Sequence, residues 1–545
     1  MSSSSIHNVM DRLNASFRSQ KTKSLSFRQQ QLDRLANFLI THKQQLQDAL
    51  QADFKCEVEA KFEVAACLDC VLKARDNVKS WMQSTSVGSI MAFKLDSKYI
   101  EPEPFGTVLI IGAWNYPLLL TIQPLVGAIA AGNCVLLKPS ELASHCSQLL
   151  ADHLCSSVAS VPGAMDSSID GECYAVMQGD ADFSKQLLSD ARFDYIFFTG
   201  SQAVGKGVLQ AASANLTPVT LELGGKSPCL VSDALSGEHM QAAANRIIWG
   251  KCFNAGQTCI APDYVVVPAK IKDVFMEALK QALLSQQGSD PLGLKQSNKD
   301  DSSKEKNKEA SNEAVDSVSQ SSGSSAETLR PACLSSIVNE RHFQRLKELA
   351  PIDTPMDAKR RLIQPCFVEI SGDAWQDHPL MQEEIFGPIL PVITVNDLWS
   401  DGVQDILLGH NHSGTSSNNN NRLSGQKPLV VYVFSDDSKE VKRISQAVSS
   451  GSLVINDTLM HFTCDTLPFG GVGASGMGKY HGKASFDTFS HAKSVMWRGF
   501  WDEPVNKAMR YPPNVVSKYD LVIQMLYRTK DSIFKALNIT GKGSK

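Results

Sequence analysis

The sequence has no long apolar run. No stretch reaches about 18 consecutive apolar residues, the length at which a segment becomes a candidate for a membrane-spanning helix. The first residues, 1–7, lack a basic stretch followed by an apolar one, which argues against a secretory signal peptide. These absences predict a cytoplasmic chain with neither a signal peptide nor a transmembrane anchor.

The sequence also has little excess charge and few cysteines. Its 53 Lys and Arg residues nearly balance 57 Asp and Glu residues, for a formal net charge of −4. Nucleic acid is not an expected partner, because binding it requires a basic surface. Thirteen cysteines, an odd number in 545 residues, exclude a disulfide scaffold and favour reduced thiols. The lone CxxC of Cys67 and Cys70 has no second pair or histidine cluster beside it, so no metal site is predicted.

What the sequence does contain is an alternation of helix-like and strand-like segments. Apolar residues at helical spacing, such as Leu32, Leu35 and Leu39, predict helices up to about residue 85. The segments predicted after Pro104 are strands at 108–112, 134–137 and 195–198 and helices at 123–131 and 204–215. This alternation predicts an α/β fold with a parallel sheet and crossover helices. At roughly 100–200 residues per domain, the chain is long enough for two to four domains.

Three segments fall outside this pattern. Residues 285–328 and 409–427 are low in complexity and too polar to offset their ordering entropy, which predicts two disordered surface insertions. The tail, residues 514–545, has apolar residues near one helical face and Lys and Arg elsewhere. Docking onto this protein or a partner subunit is the favoured interpretation of the tail, and peripheral contact with a membrane is the alternative. Charged residues interrupt the tail, so it is not expected to span a membrane.

Cys259 is the first candidate for chemistry. It ends the small-residue segment 253–259 (FNAGQTC), which lies between a helix-like and a strand-like stretch. A cysteine in such a loop can be exposed, and its thiolate is a nucleophile. The alternative is that Cys259 is one more small hydrophobic residue of the core.

Glu222 and Asn115 are candidates for acid–base and electrostatic roles. Glu222 lies in the apolar segment 221–226 (LELGGK). Burial there would raise the pKa of its carboxyl group and make it a usable general base, although a salt bridge is the simpler alternative. Asn115 follows a strand-like run, and ligands of open α/β sheets bind at the carboxyl ends of strands. Its amide can donate to an oxyanion, with a structural turn as the alternative.

Two glycine-containing segments are weaker signals. Residues 198–206 (FTGSQAVGK) join a strand to a helix, which is the setting for a phosphate at a helix N-terminus. The segment is not GxGxxG, because Gln202 stands at the middle position. Residues 468–478 (PFGGVGASGMG) imply tight turns, although generic glycine-rich linkers look similar.

Together these segments resemble the NAD(P)-dependent aldehyde dehydrogenase family. The specific matches are LELGGK at 221–226 and FNAGQTC at 253–259, supported by LKPSE at 137–141 and EEIFGP at 383–388. The segments APDY at 261–264, YHGK at 480–483 and RYPP at 510–513 are similar to class 3 of that family, the group containing fatty aldehyde dehydrogenase. The resemblance runs from about residue 6 to residue 513, apart from the insertions.

The resemblance implies a role for each candidate. Cys259 would attack the aldehyde, Asn115 and the backbone N–H of Cys259 would hold the oxyanion, and Glu222 would be the general base. The implied cofactor-binding residues are Lys138 and Glu141 at the adenosine ribose, Gly200, Ser201 and Gly205 at the pyrophosphate loop, Glu384 at the nicotinamide ribose, and Phe386 at the nicotinamide. In class 3, Glu384 is also a candidate to share the role of base. Glu141 would repel a 2′-phosphate, which favours NAD, with NADP as the alternative. Gln202 stands where most of the family has threonine, so a longer side chain must fit beside the phosphate loop.

The implied fold is α/β, with a Rossmann-type cofactor domain, an α/β catalytic domain and a small β oligomerisation arm. The expected boundaries are 1–89 and 104–223 for the cofactor domain, 224–470 for the catalytic domain, and 90–103 with 494–503 for the arm. A homodimer is implied. The expected function is oxidation of medium- or long-chain aliphatic or aromatic aldehydes to acids through a cysteine thiohemiacetal and thioester. A noncatalytic protein on this fold and a coenzyme-A-acylating dehydrogenase are the alternatives.

Overall fold

The computed structural model of the protein describes residues 3–88, 96–156, 168–293, 334–370, 375–398, 427–501, 503, 507 and 511. Its α-helices within these ranges are α1 (Ser3–Arg18), α2 (Leu25–Thr41), α3 (Lys43–Asp53), α4 (Glu57–Trp81), α5 (Leu119–Ala131), α6 (Ser144–His153), α7 (Ala181–Asp190), α8 (Gln202–Ser213), α9 (Gly237–Cys252), α10 (Lys272–Gln287), α11 (Glu340–Leu349), α12 (Pro379–Gln382), α13 (Ser438–Ala447) and α14 (Gly482–Thr488). Its β-strands there are β1 (Thr85–Ser86), β2 (Ser97–Pro104), β3 (Thr107–Ile111), β4 (Cys134–Lys138), β5 (Cys155–Ser156), β6 (Ile169–Asp170), β7 (Tyr174–Val176), β8 (Tyr195–Gly200), β9 (Val219–Leu223), β10 (Pro228–Val231), β11 (Tyr264–Pro268), β12 (Met356–Asp357), β13 (Leu362–Ile363), β14 (Cys366–Ile370), β15 (Ile389–Val395), β16 (Val430–Phe434), β17 (Ser452–Ile455), β18 (Gly476–Met477) and β19 (Ser490–Trp497).

The N-terminal region is helical, as predicted. Leu32, Leu35 and Leu39, which share one face of α2, are fully buried. The hydroxyl of Ser24 caps this helix by accepting the N–H of Phe27 at 3.2 Å, which satisfies one of the backbone donors at its start. The helical region ends with α4, just before the short strand β1.

The first large sheet has the strand order β7-β4-β3-β8-β9, with all of these neighbours parallel and β18 antiparallel at the edge beside β9. The crossover helix α5 is buried along its whole length. From β3 the chain goes first to β4 on one side and later to β8 on the other, so the order reverses at β3. Ligands of such sheets bind at the carboxyl ends of the strands around this switch point. The predicted α/β class is confirmed.

The second large sheet has the order β14-β15-β11-β10-β16-β17, and all of its neighbouring strands are parallel. Its core includes the fully buried side chains of Val431 and Val433, together with Tyr264 and Val266 at 1% exposure each. Residues 224–227 join β9 of the first sheet to β10 of the second. The predicted base Glu222 therefore lies where the chain passes from one sheet to the other.

After the second sheet the chain returns to the first. The short strand β18 pairs with β9, and α14 packs on α5, where a side chain on Gly127 would overlap Ser485. The strands of the first sheet thus come from residues 107–223 and 476–477, and those of the second from residues 228–455. The division into cofactor and catalytic domains at residue 224 stays a prediction.

A separate small unit contains the described residues of the ranges 79–104 and 490–511. Its antiparallel sheet has the order β1-β2-β19, with Ser490 opposite Pro104 and Trp497 opposite Ser97. The predicted arm boundaries are corrected here, since β2 extends to residue 104 and β19 begins at residue 490 rather than 494. Residues 490–493 have no apolar alternation, so only the pairing with β2 identifies them as strand. Residues 89–95 lie outside the described ranges.

The first predicted insertion also begins later than expected. Residues 285–287 complete α10, and the N–H of Gly288 donates to the carbonyl of Leu284 at 2.9 Å. Leu292 is buried beyond the helix end, and Arg360 donates to its carbonyl. These contacts hold residues 285–292 in place, although their composition alone assigns them to the predicted insertion at 285–328. Residues 294–328, 409–426 and the tail 514–545 lie outside the described ranges, as the predictions about them do. Among the helices of the described residues, none has the length and apolarity needed to cross a bilayer.

Candidate active site

The predicted site residues meet between the facing ends of the two large sheets. Lys138, Asn115, Ser201 and Glu222 belong to the carboxyl ends of β4, β3, β8 and β9 or to the loops that leave them. The loops that enter β10, β11 and β15 supply the LELGGK glycines, the Cys259 segment and the Glu384 segment. The structure therefore brings together residues that are separated by up to about half of the chain.

The loop before Cys259 has an unusual backbone that buried hydrogen bonds hold in place. Asn254 and Ala255 have left-handed φ angles of 55° and 52°, which are sparsely populated for residues other than glycine. The side-chain amide of Asn254 donates to the carbonyls of Asn115, at 2.9 Å, and Gln257, at 3.1 Å. Its backbone N–H donates to the carboxylate of Glu59 at 2.6 Å. This network fixes the loop against the segment that carries Asn115.

Gln257 anchors the same loop from its other side. Its side-chain amide donates to the carbonyl of Ser336 at 3.0 Å and accepts the N–H of Val338 at 3.0 Å. The hydroxyls of Thr258 and Tyr116 are 2.7 Å apart. Gln257 is fully buried, so these hydrogen bonds satisfy polar groups that water cannot reach.

Cys259 is half-buried, so its thiol is partly accessible. Burial raises the pKa of this thiol, and the negative charges of Glu384 and Glu222 raise it further. The backbone N–H groups of Cys259 and Ile260 oppose this effect, because they donate towards the sulfur. The thiol thus has two carboxylates near it and backbone donors beside it.

Asn115 is 4% exposed, and its Nδ2 donates to the carbonyl of Gln257 at 3.1 Å. An amide nitrogen has two N–H groups, so one further donor remains for a ligand. The segment that follows is fixed by Glu63 of α4, whose carboxylate accepts the N–H groups of Leu118 at 2.9 Å and Leu119 at 3.0 Å.

A buried lysine supports this arrangement. Lys55 lies 3.3 Å from the Glu63 carboxylate, with both side chains fully buried. Its ammonium group also lies 3.7 Å from the centre of the Tyr116 ring, within the range of a cation–π contact. The spacing of apolar residues in the N-terminal helices does not predict the supporting roles of Glu59, Glu63 and Lys55. Most of the groups that they hold are distant in sequence, so no local pattern indicates these contacts.

Glu222 has a setting that suits a base. It is 4% exposed on β9, and neither of its carboxylate oxygens has a hydrogen-bond partner within the described part of the chain. Burial raises the pKa of its carboxyl group well above the usual value. The salt bridge proposed as the simpler alternative is not formed with any described residue.

Glu384 is held differently from Glu222. It packs against Gly224, where a Cβ would overlap its carboxylate, and it accepts the backbone N–H of Gly225. Burial and the charge of Asp263 raise the pKa of Glu384 to about 8, although the Gly225 hydrogen bond and the charges of two lysines act in the opposite direction. Gly224 therefore leaves room for the Glu384 carboxylate, and Gly225 orients it through a hydrogen bond.

A buried ion pair holds the loop that carries Glu384. Lys226 and Asp263 form this pair, and each side chain is 4% exposed. The Lys226 ammonium group also donates to the carbonyls of Leu380, at 2.8 Å, and Glu383, at 3.0 Å, and Asp263 accepts the N–H of Ile385 at 3.0 Å. Residues 226 and 263 thus fix the backbone on both sides of residue 384.

We expect Asp263→Asn to destabilise the protein by about 3 kcal/mol, because it leaves the Lys226 ammonium group buried without a counter-charge. The Glu384 loop should lose its fixed position at the same time, so KM for the cofactor should rise. Urea unfolding and initial-rate kinetics measure the two effects. The control is Asp233→Asn, which removes an exposed partner of Lys270 and should cost less than about 1 kcal/mol. Equal effects of the two substitutions would contradict this account.

A second buried lysine, Lys251, lies at the end of α9. It is 2% exposed, and its Nζ has no hydrogen-bond partner among the described residues. Burial lowers its pKa to about 8, although the charges of Asp263 and Glu384 act to raise it. Lys251 adds a basic group near Glu384 that the sequence patterns did not indicate.

Five of the cofactor residues predicted from the resemblance lie at or just beyond the carboxyl ends of first-sheet strands: Lys138, Glu141, Gly200, Ser201 and Gly205. Lys138 is 3% exposed, and its ammonium group lies 2.6 Å from the half-exposed Glu141 carboxylate. Ser201 caps α8 through a 3.4 Å contact with the N–H of Val204, so the positive end of that helix dipole adjoins β8. A side chain at residue 205 would overlap Leu223. The glycine therefore allows α8 to pack closely against β9.

Three residues of the predicted cofactor site have further defined contacts. Gln202, whose fit was in question, directs its amide towards the carbonyl of Gly224 at 3.4 Å. Phe386 has a left-handed φ of 51°, and its ring meets Trp114 edge-on at 5.4 Å. Gly200 ends β8, and a side chain there would overlap the ring of Phe198. Gly200, which has no side chain, and the positive end of the α8 dipole fit the phosphates of a dinucleotide. The buried amine of Lys138 fits a ribose of the same ligand.

A row of aromatic rings leads outward from the Cys259 loop. Phe253 contacts Trp249 at 5.4 Å, Phe62 at 5.5 Å and Tyr116 at 6.5 Å between ring centroids. Trp249 and Phe62 are 40% and 42% exposed. These rings form a continuous aromatic cluster from the protein surface to the segment that carries Cys259.

Comparison with known proteins agrees with this geometry. The sequence model of the aldehyde dehydrogenase family matches residues 1–324 and 350–495. The chain is 41% identical to human aldehyde dehydrogenase family 3 member B1 over 515 residues, which is 93% of this chain and 94% of that protein. It is 39% identical to the rat "aldehyde dehydrogenase, dimeric NADP-preferring" over 94% of this chain and 98% of that protein. The solved structure of the substrate-bound state of Staphylococcus aureus AldH matches with a TM-score of 0.74 and 33% identity over 98% of each chain.

The chain belongs to the aldehyde dehydrogenase family. Its similarity to family 3 members confirms the predicted resemblance to class 3. It is therefore an enzyme that oxidises aldehydes with NAD or NADP, and the noncatalytic alternative has no support.

Proposed function

We propose that Cys259 is the nucleophile and that its thiolate adds to the aldehyde carbonyl to form a thiohemiacetal. The observation that carries this proposal is the half-buried thiol of Cys259, with backbone donors and two carboxylates beside it. The side-chain amide of Asn115 and the N–H of Cys259 stabilise the oxyanion that forms. Fixed donors are effective here because they need no reorganisation during the reaction.

The cofactor supplies the acceptor for the hydride that leaves the substrate carbon, and a thioester on Cys259 remains. Glu222 then takes a proton from water, the water oxygen attacks the thioester, and the carboxylic acid and the free thiol are released. The Glu222 oxygens have no hydrogen-bond partner among the described residues, which supports this role because either oxygen can accept a proton. Glu384 has a different role, since its carboxylate is already oriented by Gly224 and Gly225. A working base also favours hydrolysis over transfer of the acyl group to coenzyme A.

The cofactor is held by residues from both sheets. Lys138 and Glu141 bind the adenosine ribose, and Ser201 with the N-terminus of α8 binds the pyrophosphate across Gly200 and Gly205. Glu384 accepts hydrogen bonds from the nicotinamide ribose, and Phe386 contacts the nicotinamide side. NAD is preferred, because the Glu141 carboxylate repels a 2′-phosphate and occupies the amine of Lys138.

We expect Glu141→Gln to shift the cofactor preference towards NADP. Removing one half-exposed negative charge near the 2′ position should favour NADP by about 5- to 10-fold in kcat/KM relative to NAD, which corresponds to roughly 1 kcal/mol. Initial rates with both cofactors at one aldehyde concentration measure the ratio. Asp69→Asn, which breaks an exposed pair with Lys73 on α4, serves as the control and should leave the ratio unchanged. A ratio that does not move in Glu141→Gln would place the 2′ position elsewhere.

The aldehydes oxidised are medium- or long-chain aliphatic or aromatic ones, and the aromatic cluster beside the Cys259 segment supports this proposal. The enzyme is a cytoplasmic homodimer that pairs through the arm formed by β2 and β19, and the rat relative is named as dimeric. We propose that the tail, residues 514–545, docks on this protein or on the partner subunit, with peripheral membrane contact as the alternative.

The direct test is formation of reduced cofactor by the purified chain with a panel of short, long and aromatic aldehydes and no coenzyme A. The proposal predicts turnover to the free acid that is greatest for the longer and aromatic aldehydes. Acyl-coenzyme A as the main product when coenzyme A is added would contradict the proposed role of Glu222.

A further inference from the structure

Two cysteines lie side by side at one edge of the first sheet. Cys134 begins β4, and Cys173 immediately precedes β7, the edge strand that pairs in parallel with β4. In this pairing Val135 is opposite Tyr174, and the N–H of Val135 donates to the carbonyl of Cys173 at 3.0 Å. One step back along both strands, Cys134 is therefore opposite Cys173, although the two are far apart in sequence.

This placement suits a disulfide bond. Neighbouring strands of a sheet are about 4.8 Å apart, and a disulfide joins residues whose Cα atoms are about 4.4–6.8 Å apart. Residues that are opposite each other in a parallel pair also direct their side chains to the same face of the sheet. The thiols of Cys134 and Cys173 are hydrogen-bonded to each other, and both residues are fully buried. The bond can therefore form without a rearrangement of the sheet.

The two thiols have different surroundings, which assign them different roles. The hydrogen bond from Cys134 lowers the pKa of the Cys173 thiol, although burial and the charge of Asp170 act in the opposite direction. The charge of Lys21 and the hydroxyl of Ser16 also lower it, and Lys21 pairs with Asp170 at 2.6 Å. The same hydrogen bond raises the pKa of the Cys134 thiol, so Cys134 keeps its proton. Cys173 is thus the thiol that ionises and reacts first.

The pair lies just below the protein surface and away from the cofactor residues. Cys173 closes a turn in which its N–H donates to the carbonyl of Asp170 at 3.0 Å, and Glu172 in this turn is exposed. A small oxidant needs only a movement of this turn to reach the sulfur. Cys134 begins β4, whereas Lys138 ends it, so a bond at the pair is made at the opposite end of the strand from the predicted cofactor site.

We propose that Cys134 and Cys173 form a reversible disulfide when the enzyme reacts with a hydroperoxide. The Cys173 thiolate attacks the terminal oxygen of the hydroperoxide, so an S–O bond forms, the O–O bond breaks and an alcohol leaves after taking a proton from water. The Cys134 sulfur then attacks the resulting sulfenic acid, an S–S bond forms, and water leaves with the Cys134 proton. Two thiols and one hydroperoxide give one disulfide, one alcohol and one water, and a thiol reductant reverses the change.

The disulfide would fasten the short edge strand β7 to β4. Cross-linking two residues that are distant in sequence restricts the unfolded chain and so stabilises the folded one. The reaction is separate from aldehyde oxidation and does not consume Cys259, because burial and two nearby carboxylates raise the pKa of that thiol. The pair is thus an exception to the reduced state expected for the cysteines of this chain.

The test treats the reduced full-length enzyme with hydrogen peroxide, blocks the remaining thiols by alkylation and digests the protein without reductant. Cleavage after Glu141 and Glu172 places Cys134 and Cys173 on separate peptides. We expect these peptides to be recovered as one linked species that dithiothreitol separates. The oxidised enzyme should unfold at a temperature a few degrees higher than the reduced enzyme. It should still oxidise aldehydes, with Cys259 recovered in alkylated form.

Cys134→Ala separates the two steps of the reaction. Without the second thiol, Cys173 should stop at the sulfenic acid, which dimedone traps, and Cys173→Ala should give neither the linked species nor the dimedone adduct. Cys146→Ala is the matched control, because Cys146 is also fully buried and burial raises the pKa of its thiol. It should leave the linked species unchanged. No linked species in the wild-type enzyme, a link to any other cysteine, or a dimedone adduct on Cys134 in Cys173→Ala would overturn the proposal.

Discussion

Replacing Cys259 by alanine should reduce turnover by about 10⁴-fold or more, the scale of loss when a covalent nucleophile is removed. No thiohemiacetal or thioester can form in Cys259→Ala, and the donors at Asn115 alone cannot replace covalent catalysis. The fold should remain, because Cys259 is half-buried and the loop is held by Asn254 and Gln257 instead. Cofactor binding, measured by quenching of tryptophan fluorescence, should be close to that of the wild-type enzyme.

Cys252→Ala is the matched control for this substitution. Cys252 lies on the same helix-to-loop segment but is 5% exposed, and burial raises the pKa of its thiol to about 12. Its replacement should cost some stability and leave kcat within a few-fold of wild type. A turnover in Cys259→Ala similar to that of the wild-type enzyme would rule out Cys259 as the nucleophile.

The electrostatics of Cys259 also set the direction of the pH dependence. Burial and the two nearby carboxylates raise the pKa of the thiol, so the reactive thiolate is the minor form at neutral pH and increases as the pH rises. The rate of the first, acylating step should therefore increase from neutral to alkaline pH. Neutralising a carboxylate near the thiol, as in Glu384→Gln, should shift that rise to lower pH.

Glu222→Gln should lower steady-state kcat by about 10³-fold, within the usual range for loss of a general base. The loss should fall on hydrolysis rather than on acylation, because an amide cannot take the proton from water. A rapid burst of reduced cofactor, close to one equivalent per active site, should then be followed by almost no further turnover. Rapid-mixing kinetics separate the two phases.

The contrast with Glu384→Gln tests the division of roles between the carboxylates. Glu384 is oriented by Gly224 and Gly225 and is assigned to the nicotinamide ribose, so its replacement should mainly raise KM for the cofactor. A burst in Glu384→Gln and none in Glu222→Gln would assign the base to Glu384 instead.

The secondary structure was predictable where the signal is local. The spacing of Leu32, Leu35 and Leu39 identifies the buried face of α2, and the apolar runs identify β3, β4 and β8. The sequence does not reveal the start of β19, because residues 490–493 lack apolar alternation and the start is set by pairing with β2. The sequence also does not reveal the end of α10, because residues 285–287 are polar but continue the hydrogen bonds of that helix.

The candidate site was only partly predictable for a related reason. Asn115 and Glu222 lie at the carboxyl ends of strands in the first sheet, where general rules for α/β folds direct attention. Cys259 and Glu384 lie in loops that precede strands of the second sheet, at the amino ends of those strands. The general rule does not point to that end, so only the resemblance to a family predicts their roles. Glu63 and the Lys226–Asp263 pair act on backbone far away in sequence, and local patterns cannot indicate such contacts.

The most direct test of this account is mass spectrometry of Glu222→Gln after brief mixing with NAD and a long-chain aldehyde, followed by acid quenching and peptide mapping. We predict a stable acyl adduct on the peptide that contains Cys259, with a mass increase equal to the acyl group of the aldehyde used. An adduct on Cys252 or another cysteine, or enzyme that releases acid without any acyl adduct, would contradict the assignment of Cys259 as nucleophile and Glu222 as base.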